Sequence, residues 1–125
     1  MNAPLTVYKA SAGSGKTFTL TIEYIKLLIK DPLSYKQILA VTFTNKATEE
    51  MKMRILSQLY GLSRLLPDSN AYLEIIKKDT ELSEEQIRQR SSLALGYLIH
   101  NYSYFQIQTI DTFFQGVLNN LAREL

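Results

Sequence analysis

The segment ASAGSGKT, residues Ala10 to Thr17, has the residue types and spacing of a loop that binds phosphate. Successive backbone N–H groups leading into a helix converge on one anion, and Gly13 and Gly15 permit a close approach that a Cβ would block. Lys16 adds a positive charge that can reach the β- and γ-phosphates, and the Thr17 hydroxyl can ligate Mg²⁺. The pattern predicts ATP and Mg²⁺ as cofactors, with Ala10 in place of the motif's first glycine.

The predicted nucleotide site has Lys16 as its catalytic side chain and Thr17 as its metal ligand. The residues predicted to hold the cofactor are Ala12, Gly13, Ser14, Gly15, Lys16 and Thr17. Such a loop joins a strand to a helix. Leu5 to Lys9 reads as a short strand, and apolar residues at helical spacing from Lys16 to Asp31 predict a well-buried helix.

A second strand and helix are predicted after the first pair. Gln37 to Phe43 is a nearly continuous apolar run, which is typical of a strand covered on both faces of a parallel sheet. The helix that follows closes near Gly61. Its apolar stripe consists of Ala47, Met51, Ile55 and Leu59.

The segment of about 62–102 has no strand pattern and is predicted to be a helical insertion, with a capping box formed by Ser83 and Gln86. Tyr104 to Ile110 alternates and predicts a third strand. Asp111 or Thr112 is then expected to cap a last helix. The apolar face of that helix carries Phe114, Val117, Leu118, Leu121 and Leu125.

Length and composition fit one soluble domain over residues 1–125. The net charge of +2 is too small to indicate nucleic-acid binding by itself, and the absence of cysteine excludes a disulfide framework. No apolar run reaches bilayer-spanning length and no signal peptide is evident, so a cytoplasmic protein without a membrane partner is predicted.

Two further segments carry a family resemblance. ILAVTFTNKATEEMKMRI (38–55) and TIDTFFQGVL (109–118), together with the phosphate loop, resemble motifs Ia, Ic and I of superfamily 1 DNA helicases of the UvrD/Rep type. The opening YKASAGSGKTFTL resembles the RecB and AddA nuclease-helicases within that group. The resemblance implies an α/β fold, namely a partial RecA-like domain with a parallel sheet of about three strands, flanking helices and the helical insertion.

In this family the TFTN element binds single-stranded DNA, which implies a DNA contact for Phe43, Thr44 and Asn45. The alternative is structural: Phe43 in the core, Thr44 as a helix cap and Lys46 on a solvated face. Motif Ic usually has a histidine where this chain has Asp111, and a carboxylate repels phosphate. The resemblance thus implies DNA contacts at Thr109 and Asp111, unless Asp111 serves as the helix cap while Thr109 makes the contact.

The family's DExx box and transition-state arginine are not found in this sequence. The resemblance therefore implies the N-terminal part of motor domain 1A of a longer helicase, inactive alone, with domains 1B, 2A and 2B as partners. Apolar faces left uncovered would favour a homodimer. Two alternatives are a self-contained P-loop kinase that uses Asp111 as its Walker B acid and a binding module without turnover.

Overall fold

The computed structural model describes residues 14–124, apart from the side chains of residues 14–17 and 104. Over this range the chain is a mostly helical α/β structure. Its helices are α1 (Ser14–Lys30), α2 (Asn45–Ser63), α3 (Asn70–Thr80), α4 (Glu84–His100) and α5 (Ile110–Glu124), and its strands are β1 (Ala40–Thr42) and β2 (Ile107–Thr109). Short 3₁₀ turns occupy Pro32–Gln37, Pro67–Ser69 and Tyr102–Tyr104.

The strands β1 and β2 pair in parallel, with Ala40 opposite Ile107 and Thr42 opposite Thr109. Parallel pairing confirms the prediction for these two strands, although both are shorter than the apolar runs that predicted them. Of the run Gln37 to Phe43, the first residue belongs to the 3₁₀ turn Pro32–Gln37, and only Ala40–Thr42 forms the strand. The predicted strand at Leu5 to Lys9 lies outside the described residues.

The core is formed mainly where α1, α2 and α4 pack together, and it confirms the predicted helical stripes. β1 is buried along its whole length, as expected for a strand covered on both faces. The residues buried at this centre include Ile22, Ile25 and Ile29 of α1, Met51, Ile55 and Leu59 of α2, and Ile87, Ala94 and Leu98 of α4.

Polar contacts join α1 to the helical insertion at two levels. Lys26 Nζ lies 3.0 Å from a carboxylate oxygen of Asp79 on α3. Arg90 of α4 donates to the carbonyl oxygens of Ile29 and Lys30 at 3.1 and 3.3 Å, so it caps the last turn of α1. These carbonyls have no partner within the helix, and a cation also suits the negative end of the helix dipole.

The predicted insertion is helical throughout its two long elements, α3 and α4. The capping box at the start of α4 is present: Gln86 N–H donates to Ser83 Oγ at 3.1 Å, and Ser83 N–H donates to Gln86 Oε1 at 2.9 Å. His100 is exposed at the end of α4. No helix in residues 14–124 is long and apolar enough to cross a membrane.

Gly61 lies inside α2, which ends at Ser63, and the 3₁₀ turn Pro67–Ser69 packs directly against it. A Cβ on Gly61 would overlap Ser69 Oγ and lie 3.0 Å from Ser69 Cβ. Ser69 is itself buried, and its hydroxyl donates to Gln58 Oε1 at 2.8 Å. The glycine therefore permits a close approach between α2 and the chain that leads into α3.

We expect Gly61→Ala to lower the free energy of unfolding by about 1–3 kcal/mol, because the added methyl group overpacks this contact. Gly96→Ala is the matched control, since a Cβ there meets nothing within 4 Å and alanine favours the interior of α4. The control should gain about 0.5–1 kcal/mol. Urea unfolding followed by far-ultraviolet circular dichroism measures both, and equal stability of the two variants would contradict the close approach.

Candidate functional site

The first turn of α1 contains four of the residues predicted to hold a nucleotide. Ser14, Gly15, Lys16 and Thr17 are helical, which agrees with a loop that enters a helix at this point. This turn has no acidic residue, so nothing on it opposes an anion at the positive end of the helix dipole. The other two predicted residues, Ala12 and Gly13, lie outside the described residues.

The predicted DNA-binding residues meet at one edge of the sheet. Because β1 and β2 are parallel and Thr42 lies opposite Thr109, both strands end at the same level. α2 begins at Asn45 and α5 at Ile110, within three residues of those strand ends. Two helix N-termini therefore start from the same edge. The segments Phe43 to Asn45 and Thr109 to Asp111, where the chain leaves the two neighbouring strands, are called the strand exits.

The strand exit of β1 has one aromatic ring in solvent and one hydroxyl engaged in capping. Phe43 is 46% exposed, so the interpretation of this ring as core is wrong. Thr44 Oγ1 accepts the Ala47 N–H at 3.0 Å, which confirms the interpretation of Thr44 as the N-cap of α2. Asn45 and Lys46 are exposed. Their N–H groups are the first two of α2, and helix geometry gives them no carbonyl partner within the helix.

A pair of buried hydroxyls beneath this exit was not among the predicted site residues. Thr42 Oγ1 and Thr48 Oγ1 lie 2.6 Å apart, and each also lies 3.2 Å from the Thr44 carbonyl oxygen. Because each hydroxyl has one proton, one threonine donates to the other, which in turn donates to that carbonyl. The two threonines thus link the end of β1 to the first turn of α2 and hold the Thr44 peptide between them. The sequence could have indicated this pair, because Thr42 is a polar residue within an apolar strand and Thr48 lies beside the apolar stripe of α2.

α5 is capped differently from the prediction. Thr109 Oγ1, not Asp111 or Thr112, accepts the first-turn N–H of Thr112 at 3.2 Å, and Thr109 Oγ1 also donates to Thr112 Oγ1 at 3.0 Å. The prediction of Asp111 or Thr112 as the cap is therefore wrong. The physical reason is that β2 runs straight into α5, so the last extended residue, Thr109, is the one whose side chain faces the free N–H groups.

The two helix N-termini differ in charge. The first turn of α2 contains Lys46 and no acidic residue, whereas the first turn of α5 contains Asp111, which is exposed. A phosphate at this edge is therefore favoured near α2 and opposed near Asp111. In the part of the chain that the structure describes, no group of three or more His, Cys, Asp or Glu is suited to hold a metal ion.

An apolar groove lies between α1 and the start of β1, away from the strand exits. Leu20, Glu23, Tyr24 and Leu27 line it on one side and Ile38 to Ala40 on the other. The Tyr24 hydroxyl is buried without a hydrogen-bond partner, and burial raises its pKa. Of the other lining residues only Glu23 has a polar side chain, and its carboxylate pairs with Lys26, so we assign the groove to the packing of α1.

Thr48→Val should lower the free energy of unfolding by about 1–2 kcal/mol, because valine has the shape of threonine but no hydroxyl for Thr42 or the Thr44 carbonyl. Thr48→Ser keeps the hydroxyl and is the control, although it loses a methyl group. Chemical denaturation compares the two. If the serine variant were the less stable, methyl packing would dominate at this position and the buried hydrogen bonds would not be stabilising.

The chain is similar to known proteins along its length. Residues 1–125 match the family model described as UvrD/REP helicase N-terminal domain. The chain is 39% identical over 90 residues to the RecBCD enzyme subunit RecB of Buchnera aphidicola, covering 66% of this chain and 7% of that protein. It is 37% identical over 95 residues to an ATP-dependent helicase/nuclease subunit of Exiguobacterium sibiricum, covering 74% and 8% respectively. No solved structure was found to match.

A third relative extends the similarity over more of the chain. RecB of Borreliella burgdorferi is 35% identical over 112 residues, which are 86% of this chain and 9% of that relative. The chain thus spans less than a tenth of the length of these three proteins. The resemblance drawn from the three sequence motifs is confirmed, and because the family model matches all 125 residues, the chain belongs to the UvrD/REP helicase N-terminal domain family.

Proposed function

We propose that the chain is the ATP-binding N-terminal portion of an ATP-dependent DNA helicase that acts in repair or recombination. In this proposal residues 1–125 form part of motor domain 1A, which has a RecA-like fold. The observation that carries the proposal is the parallel register of Thr42 and Thr109, which brings two strand exits and two helix N-termini to one edge. Family membership and the relatives named as ATP-dependent helicase/nuclease subunits support the enzyme class.

The first turn of α1 fits a nucleotide with Mg²⁺. Ser14 and Gly15 would offer backbone N–H groups to the phosphates, in continuation of the loop that contains Ala12 and Gly13. Lys16 would pair with the β- and γ-phosphates, and Thr17 would ligate the metal. The bound Mg²⁺ would neutralise charge on those phosphates. The absence of an acidic residue in this turn supports the assignment.

The strand-exit edge would form part of a track for single-stranded DNA. Phe43 has an exposed ring on which a base can stack, and base stacking on an aromatic ring tolerates any sequence. Asn45, with the free N–H groups at the start of α2, would donate to a phosphate. Thr109 would contribute a hydroxyl. Asp111 would lie beside the sugar or base rather than a phosphate, because its carboxylate repels the backbone.

The chain alone is proposed to bind its ligands without sustained hydrolysis. The 125 residues contain no adjacent Asp-Glu pair to hold the metal and orient the attacking water. In the whole helicase these groups and the transition-state arginine would come from the rest of domain 1A and from domain 2A, with 1B and 2B as further partners. The chain would act in the cytoplasm as one part of the motor.

Lys16→Ala should abolish measurable ATP binding to the chain, because the lysine is the side chain that pairs with the terminal phosphates. Lys30→Ala is the matched control: it removes an exposed lysine from the other end of α1 and should leave affinity unchanged. Isothermal titration with ATP and Mg²⁺ measures both. Equal ATP affinity of the Lys16 variant and the unaltered chain would contradict the nucleotide site. Steady-state ATPase activity in the unaltered chain, absent from the variant, would contradict the proposal that the chain alone does not hydrolyse ATP.

Phe43→Ala should weaken single-stranded DNA binding by about 5- to 150-fold, since stacking on one aromatic ring contributes about 1–3 kcal/mol. Tyr60→Ala is the control, because Tyr60 is similarly exposed on α2 but lies about four turns away from the strand exit. Fluorescence anisotropy with a labelled oligothymidine measures both variants at several salt concentrations. If the chain were a self-contained kinase, it would show no salt-sensitive affinity for the oligonucleotide. Unchanged affinity of the Phe43 variant would show that this residue does not contact the DNA.

A further inference from the structure

The first turn of α1 has little of its own to hold it in place. It is formed by Ser14, Gly15, Lys16 and Thr17, and none of these has a large apolar side chain. Serine, threonine and above all glycine are poorer helix formers than alanine or leucine, and helix ends fray. Phe18 is the first large apolar residue of the helix. The position of this turn therefore depends on what Phe18 contacts.

Phe18 packs against Tyr72 of the helical insertion. The two ring centroids lie 4.9 Å apart and the ring planes meet at 65°, which is an edge-to-face arrangement. Aromatic pairs at this distance attract one another beyond the effect of the apolar surface that they bury. Tyr72 belongs to the first turn of α3 and is buried, and Phe18 is partly buried against the core. The ring pair therefore joins the start of α1 to the start of α3.

Tyr72 is in turn held from α2. Burial raises the pKa of the Tyr72 hydroxyl, and the Arg54 guanidinium of α2 interacts with this hydroxyl and opposes part of that rise. The 3₁₀ turn that leads into α3 also packs on α2, where Ser69 lies against Gly61 and donates to Gln58 Oε1. Tyr72 thus offers Phe18 a surface that α2 keeps in place.

The ring pair is separate from the polar contacts of α1. α3 runs alongside α1 in the same direction, because Phe18 contacts Tyr72 and Lys26 pairs with Asp79 about two turns later in both helices. Arg90 contacts the last turn of α1. The polar contacts therefore hold the second half of α1, whereas the ring pair directly follows the turn proposed to bind the nucleotide.

We propose that Tyr72 is a positioning residue for the nucleotide site: its ring holds Phe18 and thereby keeps the first turn of α1 in the helical form that presents Lys16 and Thr17 to the phosphates and Mg²⁺. This inference rests on the proposed function. A site that is correctly formed for only a fraction of the time has an affinity reduced by that fraction. The Tyr72 ring therefore raises ATP affinity without touching ATP.

Isothermal titration with ATP and Mg²⁺ tests the role of the ring. Tyr72→Leu should weaken ATP binding by about 2- to 13-fold, which is the contribution of one aromatic pair converted to affinity. Tyr72→Phe keeps the ring, loses only the hydroxyl and should bind like the unaltered chain. Ile87→Val controls for a general loss of core packing, since Ile87 is buried on α4 one turn before Arg90, near the opposite end of α1, and it should also bind unchanged.

A second substitution separates the ring pair from other effects at position 72. In a chain that carries Phe18→Leu, Tyr72→Leu should weaken ATP binding no further, because the partner ring is already absent. Unchanged affinity of Tyr72→Leu alone, an equal loss in Tyr72→Phe or in Ile87→Val, or a full additional loss in the Phe18→Leu chain would overturn the proposal.

Amide hydrogen exchange followed by NMR without nucleotide distinguishes this inference from the proposed function. By helix geometry the amides of residues 18–21 donate to the carbonyls of residues 14–17, so their exchange reports opening of the first turn. In Tyr72→Leu these amides should accelerate by about 2- to 13-fold more than those of the last turn of α1. Uniform acceleration along α1, or none, would overturn the positioning role even if ATP binds. Local acceleration in a chain that binds no ATP would overturn the proposed function while supporting the hold of Tyr72 on the turn.

Discussion

The parallel ladder between β1 and β2 is three residues long on each strand, yet it decides which distant residues can act together. Parallel strands end at the same edge, and here each strand is followed at once by a helix whose N-terminus starts from that edge. A slip of one residue would turn the side chains of one strand to the opposite face and displace Phe43 relative to Thr109. The candidate DNA-binding surface depends on this register more than on any single side chain.

Neutral hydroxyls, rather than carboxylates, organise this edge. Thr44 caps α2 and Thr109 caps α5, although aspartate is an equally good N-cap residue. A carboxylate cap on α2 would compensate the positive end of the helix and weaken its attraction for phosphate. The threonine cap satisfies the N–H group and leaves that attraction intact. The buried pair of Thr42 and Thr48 follows the same logic, because it fixes the turn without placing a charge inside the protein.

The sequence predicted the helices, the parallel pairing and the family well, because each depends on a strong local pattern. The stripe from Ala47 to Leu59 and the capping box at Ser83 are set by spacing along one helix. The errors arise where tertiary contacts choose between local options. Asp111 is a good cap in isolation, but the direct passage from β2 into α5 gives that position to Thr109. The pairing of Thr42 with Thr48, which was not predicted, likewise depends on how β1 lies against α2, which no short pattern specifies.

The attachment of α1 to the helical insertion has a mechanical consequence. Arg90 of α4 donates to the last carbonyl oxygens of α1, and Lys26, about one turn before that end, pairs with Asp79 on α3, so the C-terminal part of the helix is anchored at two points to the same unit. A push or pull on the first turn of α1 would be carried along the helix axis into that unit, because an α-helix is stiff along its length and its far end is clamped. The insertion thus supports the helix whose first turn is proposed to bind phosphate.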